Sequence, residues 1–342
     1  MSDPTPFTLS DDLSDPALRP TARTWVKHTS LLLVTFATMT IAGVLFPFGS
    51  IYTLPEADPQ TFSEAVRFVG DIPIKYISLV AYAISQLFTN AALLRDGLSF
   101  SLSLLFILIS HEMGHYIACR IYRVDATLPY FIPTPPMIGP AGTFGAFIKI
   151  LAPMPSRKAV FDIGVAGPIA GFVALIPVAI MGMATMQVAT PEQVAAGQGS
   201  LIFTDPLFMR ILAMFYGIDL TFGIGNPFYF AAWVGLLVTA LNLIPSGQLD
   251  GGHAIYAVFG ERVHYWSGRI AFITMATCSV LGWFYFNSPS GFLIAVLLGI
   301  MMRVKHPTPW DLTPLDIKRK AVAFLCLIIF ILCFVPFPIQ IN

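Results

Sequence analysis

The stretch that decides the fold reads Leu102-Ser-Leu-Leu-Phe-Ile-Leu-Ile-Ser110-His111-Glu112-Met113-Gly114-His115. It begins as a membrane-spanning helix and ends in three ionisable side chains. An apolar run of ~20 residues crosses a bilayer, and residues 97–119 provide one. Ionisable groups at that depth are costly unless they face a partner or a water-filled cavity. Two histidines at i and i+4 share one helix face, about one turn apart. Both imidazoles then reach a single Zn²⁺ at ~2.0–2.1 Å. Glu112 beside them is placed to hold and deprotonate a water, whose pKa zinc lowers toward ~7. In a soluble chain an HExxH spacing arises by chance often enough to be only moderately specific. Inside this apolar run, two unrelated surface histidines are the poorer explanation.

The composition agrees. Of 342 residues, 56% are hydrophobic and 11% charged, and the mean hydropathy is +0.75. Soluble domains carry about 25% charged residues. The 19 Lys+Arg and 19 Asp+Glu cancel, so no global field steers anionic partners. These values exclude a disordered chain, an ordinary cytosolic enzyme and a basic nucleic-acid binder; no nucleic-acid partner is expected. Cys119, Cys278, Cys326 and Cys333 lack CxxC spacing and read as apolar packing residues.

Further charge-free runs cover 29–47, 163–191, 220–249 and 321–338. A turn signal, Asn287-Ser-Pro-Ser-Gly291, divides 270–302 into a hairpin of two helices. Segment 76–94 is long enough to span, but Ser78, Ser85, Gln86, Thr89 and Asn90 make it amphipathic, and it is read as lying on the surface. The expectation is an all-α polytopic membrane protein of about seven (six to eight) transmembrane helices. Lys and Arg gather on the cytoplasmic side. With that topology only Arg67, Lys75, Arg95 and Arg210, of 19 Lys and Arg, fall on the far side. The N-terminus and the His111 end of the motif helix are then cytoplasmic.

Four regions follow: a mobile cytoplasmic tail at 1–28; a first transmembrane helix with the amphipathic segment at 29–96; a catalytic membrane core at 97–265; and a C-terminal helical hairpin with the last span at 266–342. Within the core, prolines keep Tyr130–Pro136 out of a helix, while Thr143–Ile150 reads as a strand. A small membrane-associated hairpin or strand is expected around 126–152. Non-helical backbone at membrane depth must be buried in protein or line a cavity. Thr143, Phe144, Gly145, Ala146 and Phe147 would offer an open strand edge to an unwound substrate. An interfacial loop is the competing reading. Pro206–Tyr216 is amphipathic and suits the membrane surface.

Catalytic zinc has three protein ligands, so one more is needed. Asp250, in Asn242-Leu-Ile-Pro-Ser-Gly-Gln-Leu-Asp250-Gly-Gly-His253, is the first charged residue after Asp219. Alternation of the spans brings it to the same membrane face as the histidines. A turn aspartate before Gly-Gly is the bland alternative. Asn242, deeper in the span, suits either an oxyanion contact or a helix–helix hydrogen bond. His253 is a spare ligand candidate, though a capping or packing role suits it better.

The pair HEMGH within one span and NLIPSGQLDGG at the end of a later one resembles the site-2 protease family of intramembrane zinc metalloproteases. The resemblance covers about residues 97–265. It implies His111, His115 and Asp250 as ligands of one Zn²⁺ per chain, Glu112 as catalytic base, and Asn242 as an aid to substrate or transition-state binding. The stretch Phe161-Asp-Ile-Gly-Val-Ala-Gly-Pro-Ile-Ala-Gly171 also resembles the Ala-Gly-Pro helix start of that family. By themselves Gly164, Gly167 and Gly171 present a small face for close helix packing. Relatives often carry a PDZ or CBS domain, and no charge-rich block here is long enough for either, so the compact branch is the match.

The expectation is therefore an intramembrane zinc endopeptidase that hydrolyses a peptide bond within or near a transmembrane segment of a client protein. It would sit in a bacterial cytoplasmic membrane with its site near the cytoplasmic face. Its partners are the client and the lipid bilayer. A membrane metal-ion transporter or metal-binding membrane protein is the alternative. That reading needs acidic or histidine residues along a path across the bilayer, and the other spans almost lack them. A membrane zinc protease with Glu as last ligand needs a helical glutamate after the motif. Only Glu192 and Glu261 follow it, neither in a spanning run.

Overall fold

The computed structural model describes residues 20–52, 60–190, 201–304 and 306–341. Most of the tail expected at 1–28 lies outside these residues, and the first helix already begins at Ala22. Helix α1, Ala22–Val44, is capped by Thr21, whose hydroxyl accepts from the Thr24 N–H. Helix α2, Phe62–Thr89, opens with a capping box formed by Thr61 and Glu64. Helix α3, Ala91–Ile121, carries the HEMGH motif.

The junction of α2 and α3 differs from expectation. The amphipathic segment at 76–94 is not one unit. Its first part closes a helix of 28 residues and its last part opens the motif helix, which starts at Ala91 and not at 97. Asn90 causes the break. Its backbone is extended, and its side-chain oxygen accepts from the N–H groups of Ala92 and Leu93. A polar residue that looked like part of an amphipathic face is a helix cap.

After α3 the chain turns into a hairpin. Strand β1, Tyr130–Pro133, pairs antiparallel with β2, Thr143–Phe147, in the register Tyr130↔Phe147, Phe131↔Ala146 and Pro133↔Thr143. A bridge between Ala126 and Ile150 extends the hairpin at its base. Helix α1 holds it at both ends. At the base, His28 Nδ1 donates to the Pro129 carbonyl at 2.8 Å. At the tip, the Thr38 hydroxyl donates to the Gly142 carbonyl at 2.8 Å. Gly142 adopts φ +76°, and a Cβ there would meet the Thr38 carbonyl oxygen at 2.5 Å, so only glycine fits.

Helix α4, Arg157–Ala184, and α6, Pro227–Leu243, pack on α3 to form the core. Between them a short helix α5, Leu207–Tyr216, ends at left-handed Gly217. Phe100, Leu104, Phe161, Leu175 and Leu236 are fully buried at these contacts. Small residues let the backbones meet. A Cβ on Gly114 of α3 would sit 2.5 Å from the Ala166 carbonyl oxygen of α4. A Cβ on Gly182 of α4 would sit 2.8 Å from the Tyr229 nitrogen of α6.

The second motif also differs from its expected placement. Helix α6 stops at Leu243, and Asp250 opens a separate helix α7, Asp250–Phe259. Pro245 has no N–H to continue the helix. Gly247, at φ +55°, turns the chain, with Met301 backbone where a Cβ would be. The C-terminal part follows as α8, Glu261–Phe286, and α9, Ser290–Met301, with Asn287 in the left-handed turn between them. Helix α10 is Ile317–Cys333. Two short two-stranded pairs, Gln187–Val188 with Gly223–Ile224 and Leu201–Phe203 with Ile339–Ile341, complete the sheets. The protein is mostly helical. Among the described residues four helices, α2, α3, α4 and α8, are long and apolar enough to cross a membrane.

Candidate metal centre

Three of the predicted residues converge from two helices. His111 and His115 lie one turn apart on the buried face of α3, and Asp250 begins α7. His111 Nε2 and His115 Nε2 are 3.1 Å apart. Each is 3.3 Å from Asp250 Oδ2. A tetrahedral zinc ion with arms of ~2.0–2.1 Å has ligand–ligand edges of about 3.3 Å. The three donor atoms therefore already form one face of such a tetrahedron. Two imidazoles and one carboxylate are also the donor set expected of a zinc site that keeps a fourth position open.

The surroundings orient these ligands. His115 Nδ1–H donates to the Ile163 carbonyl of α4 at 2.7 Å, which leaves Nε2 as the metal-facing lone pair. Helix α4 comes this close because it offers glycine there. A Cβ on Gly167 would lie 2.1 Å from His115 Nε2, and one on Gly171 would lie 3.1 Å from His111 Cβ. The glycine face read from the sequence as a packing device thus packs directly on His111 and His115.

A polar clamp fixes the same end of the helices. Arg319 of α10 pairs with Asp162 of α4 at 2.6 Å and also holds Asp316. The Tyr122 hydroxyl, just after α3, donates to Asp162 as well. Asp162 precedes Ile163, so the clamp sets the carbonyl that orients His115.

Glu112 is buried beside the donors, 5% exposed. The backbone N–H of Ile148, at the end of β2, faces its carboxylate. Asn242 lies near the end of α6 with its amide nitrogen 3.2 Å from His111 Nε2. A cavity of about 610 Å³ opens beside these groups. Of the predicted strand residues, Ala146 and Phe147 line it. Thr143 is turned into the hairpin, where its hydroxyl donates to the Ile132 carbonyl. Phe144 and Gly145 lie outside the lining.

His253 also lines the cavity but is engaged elsewhere, sharing a 2.7 Å hydrogen bond with His306. His306 stacks on Tyr256, ring centroids 3.9 Å apart. Burial pushes the His306 pKa down to about 3, so it is a neutral partner at ordinary pH. The segment that carries His306 runs on against the start of α4, where the Asp311 N–H donates to the Pro155 carbonyl and the Arg157 N–H to the Asp311 carbonyl. The sequence gives little sign of this strap.

The sequence model of peptidase family M50 matches residues 99–281, more than half of the chain, and spans His111, Glu112, His115, Asn242 and Asp250. The chain belongs to peptidase family M50. The resemblance to site-2 proteases holds on that footing. Among similar proteins, "Probable zinc metalloprotease EGY2, chloroplastic" of Oryza sativa subsp. indica is 25% identical over 307 residues, covering 86% of this chain and 53% of that protein. "Probable zinc metalloprotease EGY1, chloroplastic" of Arabidopsis thaliana is 29% identical over 243 residues, 67% of this chain and 41% of that one. The Arabidopsis thaliana EGY2 protein is 27% identical over 256 residues, 73% and 44%. The chain thus spans about half the length of these relatives, or less. Within the M50 match, the donor triangle joins the first and second sequence motifs in one centre.

Proposed function

We propose that this chain is an intramembrane zinc endopeptidase that hydrolyses a peptide bond within or near a transmembrane segment of a client membrane protein. The observation that carries the reading is the donor triangle of His111, His115 and Asp250, with edges of 3.1, 3.3 and 3.3 Å, beside a buried carboxylate. Zinc, when held there, supplies the Lewis acidity that polarises a carbonyl and acidifies water.

The chain's own groups do the rest. Glu112 accepts the proton of the attacking water on its carboxylate as the new C–O bond forms. It then returns that proton to the amide nitrogen as the C–N bond breaks. The Asn242 amide donates a hydrogen bond to the oxygen on which negative charge develops. The carbonyl of Ile163 keeps the His115 ring in place throughout.

A helical peptide bond is shielded by its own hydrogen bonds, so the client must be extended before attack. The edge of β2 is the surface for that, through Ala146 and Phe147, with Ile148 beside Glu112. About seven spans are proposed, α1, α3, α4, α6, α8, α9 and α10, with α2 resting on the membrane surface and the start of α1 cytoplasmic. The site then lies near the cytoplasmic face, in a membrane of the bacterial type.

The test is cleavage of a single-span reporter in proteoliposomes by the wild type and by Glu112→Gln, with zinc measured in both. The expected outcome is unchanged zinc and a rate lower by about 10²–10⁴. Wild-type cleavage by Glu112→Gln would refute the role given to Glu112.

A further inference from the structure

Among the described residues, the lining of the cavity beside the donors holds one Lys or Arg, Lys149. Its side chain is exposed, and among the described residues it forms no salt bridge.

The backbone around Lys149 is fixed. Its N–H donates to the Thr127 hydroxyl at 3.0 Å, and its carbonyl accepts from the Thr127 N–H at 2.9 Å. It follows Ile148, whose N–H faces Glu112. One strand residue advances ~3.3 Å, so Lys149 sits one step from the level of the catalytic carboxylate. The direction of that step is also set. The hairpin tip is held by Thr38 and its base by His28, so β2 runs outward toward the start of α1. Lys149 marks the end of the groove nearest the start of α1, which is the cytoplasmic side in the topology proposed above.

Single-span membrane proteins carry an excess of Lys and Arg on that side. A fixed cation in the groove disfavours such a flank and favours a carboxylate. Discrimination of this kind works by repelling the common partner as well as by attracting the rare one. We propose that Lys149 selects clients bearing Asp or Glu immediately on the cytoplasmic side of the cleaved bond. The proposal rests on the proteolytic reading of the same cavity and names its substrate class.

The test uses zinc-loaded Glu112→Gln protein in detergent, so that binding is read without turnover. The probes are three fluorescent single-span peptides that differ only in Asp, Asn or Lys at the two positions flanking the apolar segment on its cytoplasmic side. Affinity is expected to fall in the order Asp, Asn, Lys by about two- to fivefold per step, the range of an exposed ion pair. The order is expected to reverse in Lys149→Glu and to flatten in Lys149→Met, with zinc content unchanged in both. A charge that serves only to orient the protein in the membrane would leave the order untouched. An unchanged order in Lys149→Glu, or no saturable binding of any peptide, would overturn the proposal. Incubating the same peptides with the Glu112-intact protein reads hydrolysis separately. Charge-ordered binding without cleavage would defeat the proteolytic reading and leave the selectivity standing.

Discussion

Gly167 and Gly70 are both helical glycines in apolar segments, yet their surroundings are opposite. A Cβ on Gly167 of α4 would collide with His115 Nε2 at 2.1 Å, whereas a Cβ on Gly70 of α2 would meet nothing within 4 Å. The contrast extends to the whole helices. The most apolar window of α4 is 56% buried inside the protein, and that of α2 is 6% buried. Helix α2 turns most of its side chains away from the rest of the described protein, so an added methyl group at Gly70 meets no neighbour. For α4 the neighbour is the His115 ring, which leaves no room for an added atom. Hydropathy admits both helices as long and apolar enough to cross a membrane, and it does not say which of their residues meet protein.

Substitutions sharpen this contrast, and the largest effect belongs to Gly167→Ala. Its methyl group must displace the His115 ring or push α4 away from α3. Overpacking costs about 1–3 kcal/mol, and a misplaced ligand lowers metal affinity by about 10–100-fold. Zinc stoichiometry together with a thermal melt reads both. Full zinc occupancy in Gly167→Ala would mean that the crowded face has slack.

Arg319→Met comes next. It strips the cation from Asp162 and keeps the apolar stem. Both side chains are partly exposed, at 25% and 28%, so the loss is moderate, about 1 kcal/mol. Zinc affinity should weaken more than stability, because Asp162 adjoins the carbonyl that orients His115. An equilibrium melt and a competitive chelator titration separate the two. Unaltered zinc affinity would show that the clamp acts on packing alone.

Gly70→Ala is the smallest. With open space around it and an ordinary helical backbone, it should leave zinc and activity unchanged and raise stability by about 0.4–1 kcal/mol. Measurable destabilisation in a melt would reveal a neighbour for α2 and remove the contrast.

The parts of the centre that the sequence announced are those written in side-chain chemistry. His111 and His115 carry their one-turn spacing on their face, and Asp250 stands out as an acid after a long uncharged stretch. The less legible parts are of two kinds. Some are backbone groups. The Ile163 carbonyl behind His115 and the Ile148 N–H before Glu112 have no residue-type signature, because any residue supplies them. Others are polar residues with two readings. Asn90 looked like part of an amphipathic surface and is the cap that divides α2 from α3. Asp250 looked like the end of one helix and is the start of another, because Pro245 and Gly247 break the chain between them. His253 looked like a spare ligand and is bonded to His306, more than fifty positions away in the chain.

The central claim is that His111, His115 and Asp250 hold one metal ion. Zinc quantified in the purified wild type and in Asp250→Ala, with X-ray absorption at the zinc edge on the wild type, tests it most directly. The account predicts about one zinc per wild-type chain, nitrogen and oxygen donors at ~2.0–2.1 Å, and loss of zinc from an Asp250→Ala protein that still folds. One zinc retained in Asp250→Ala with an unchanged edge spectrum would contradict it.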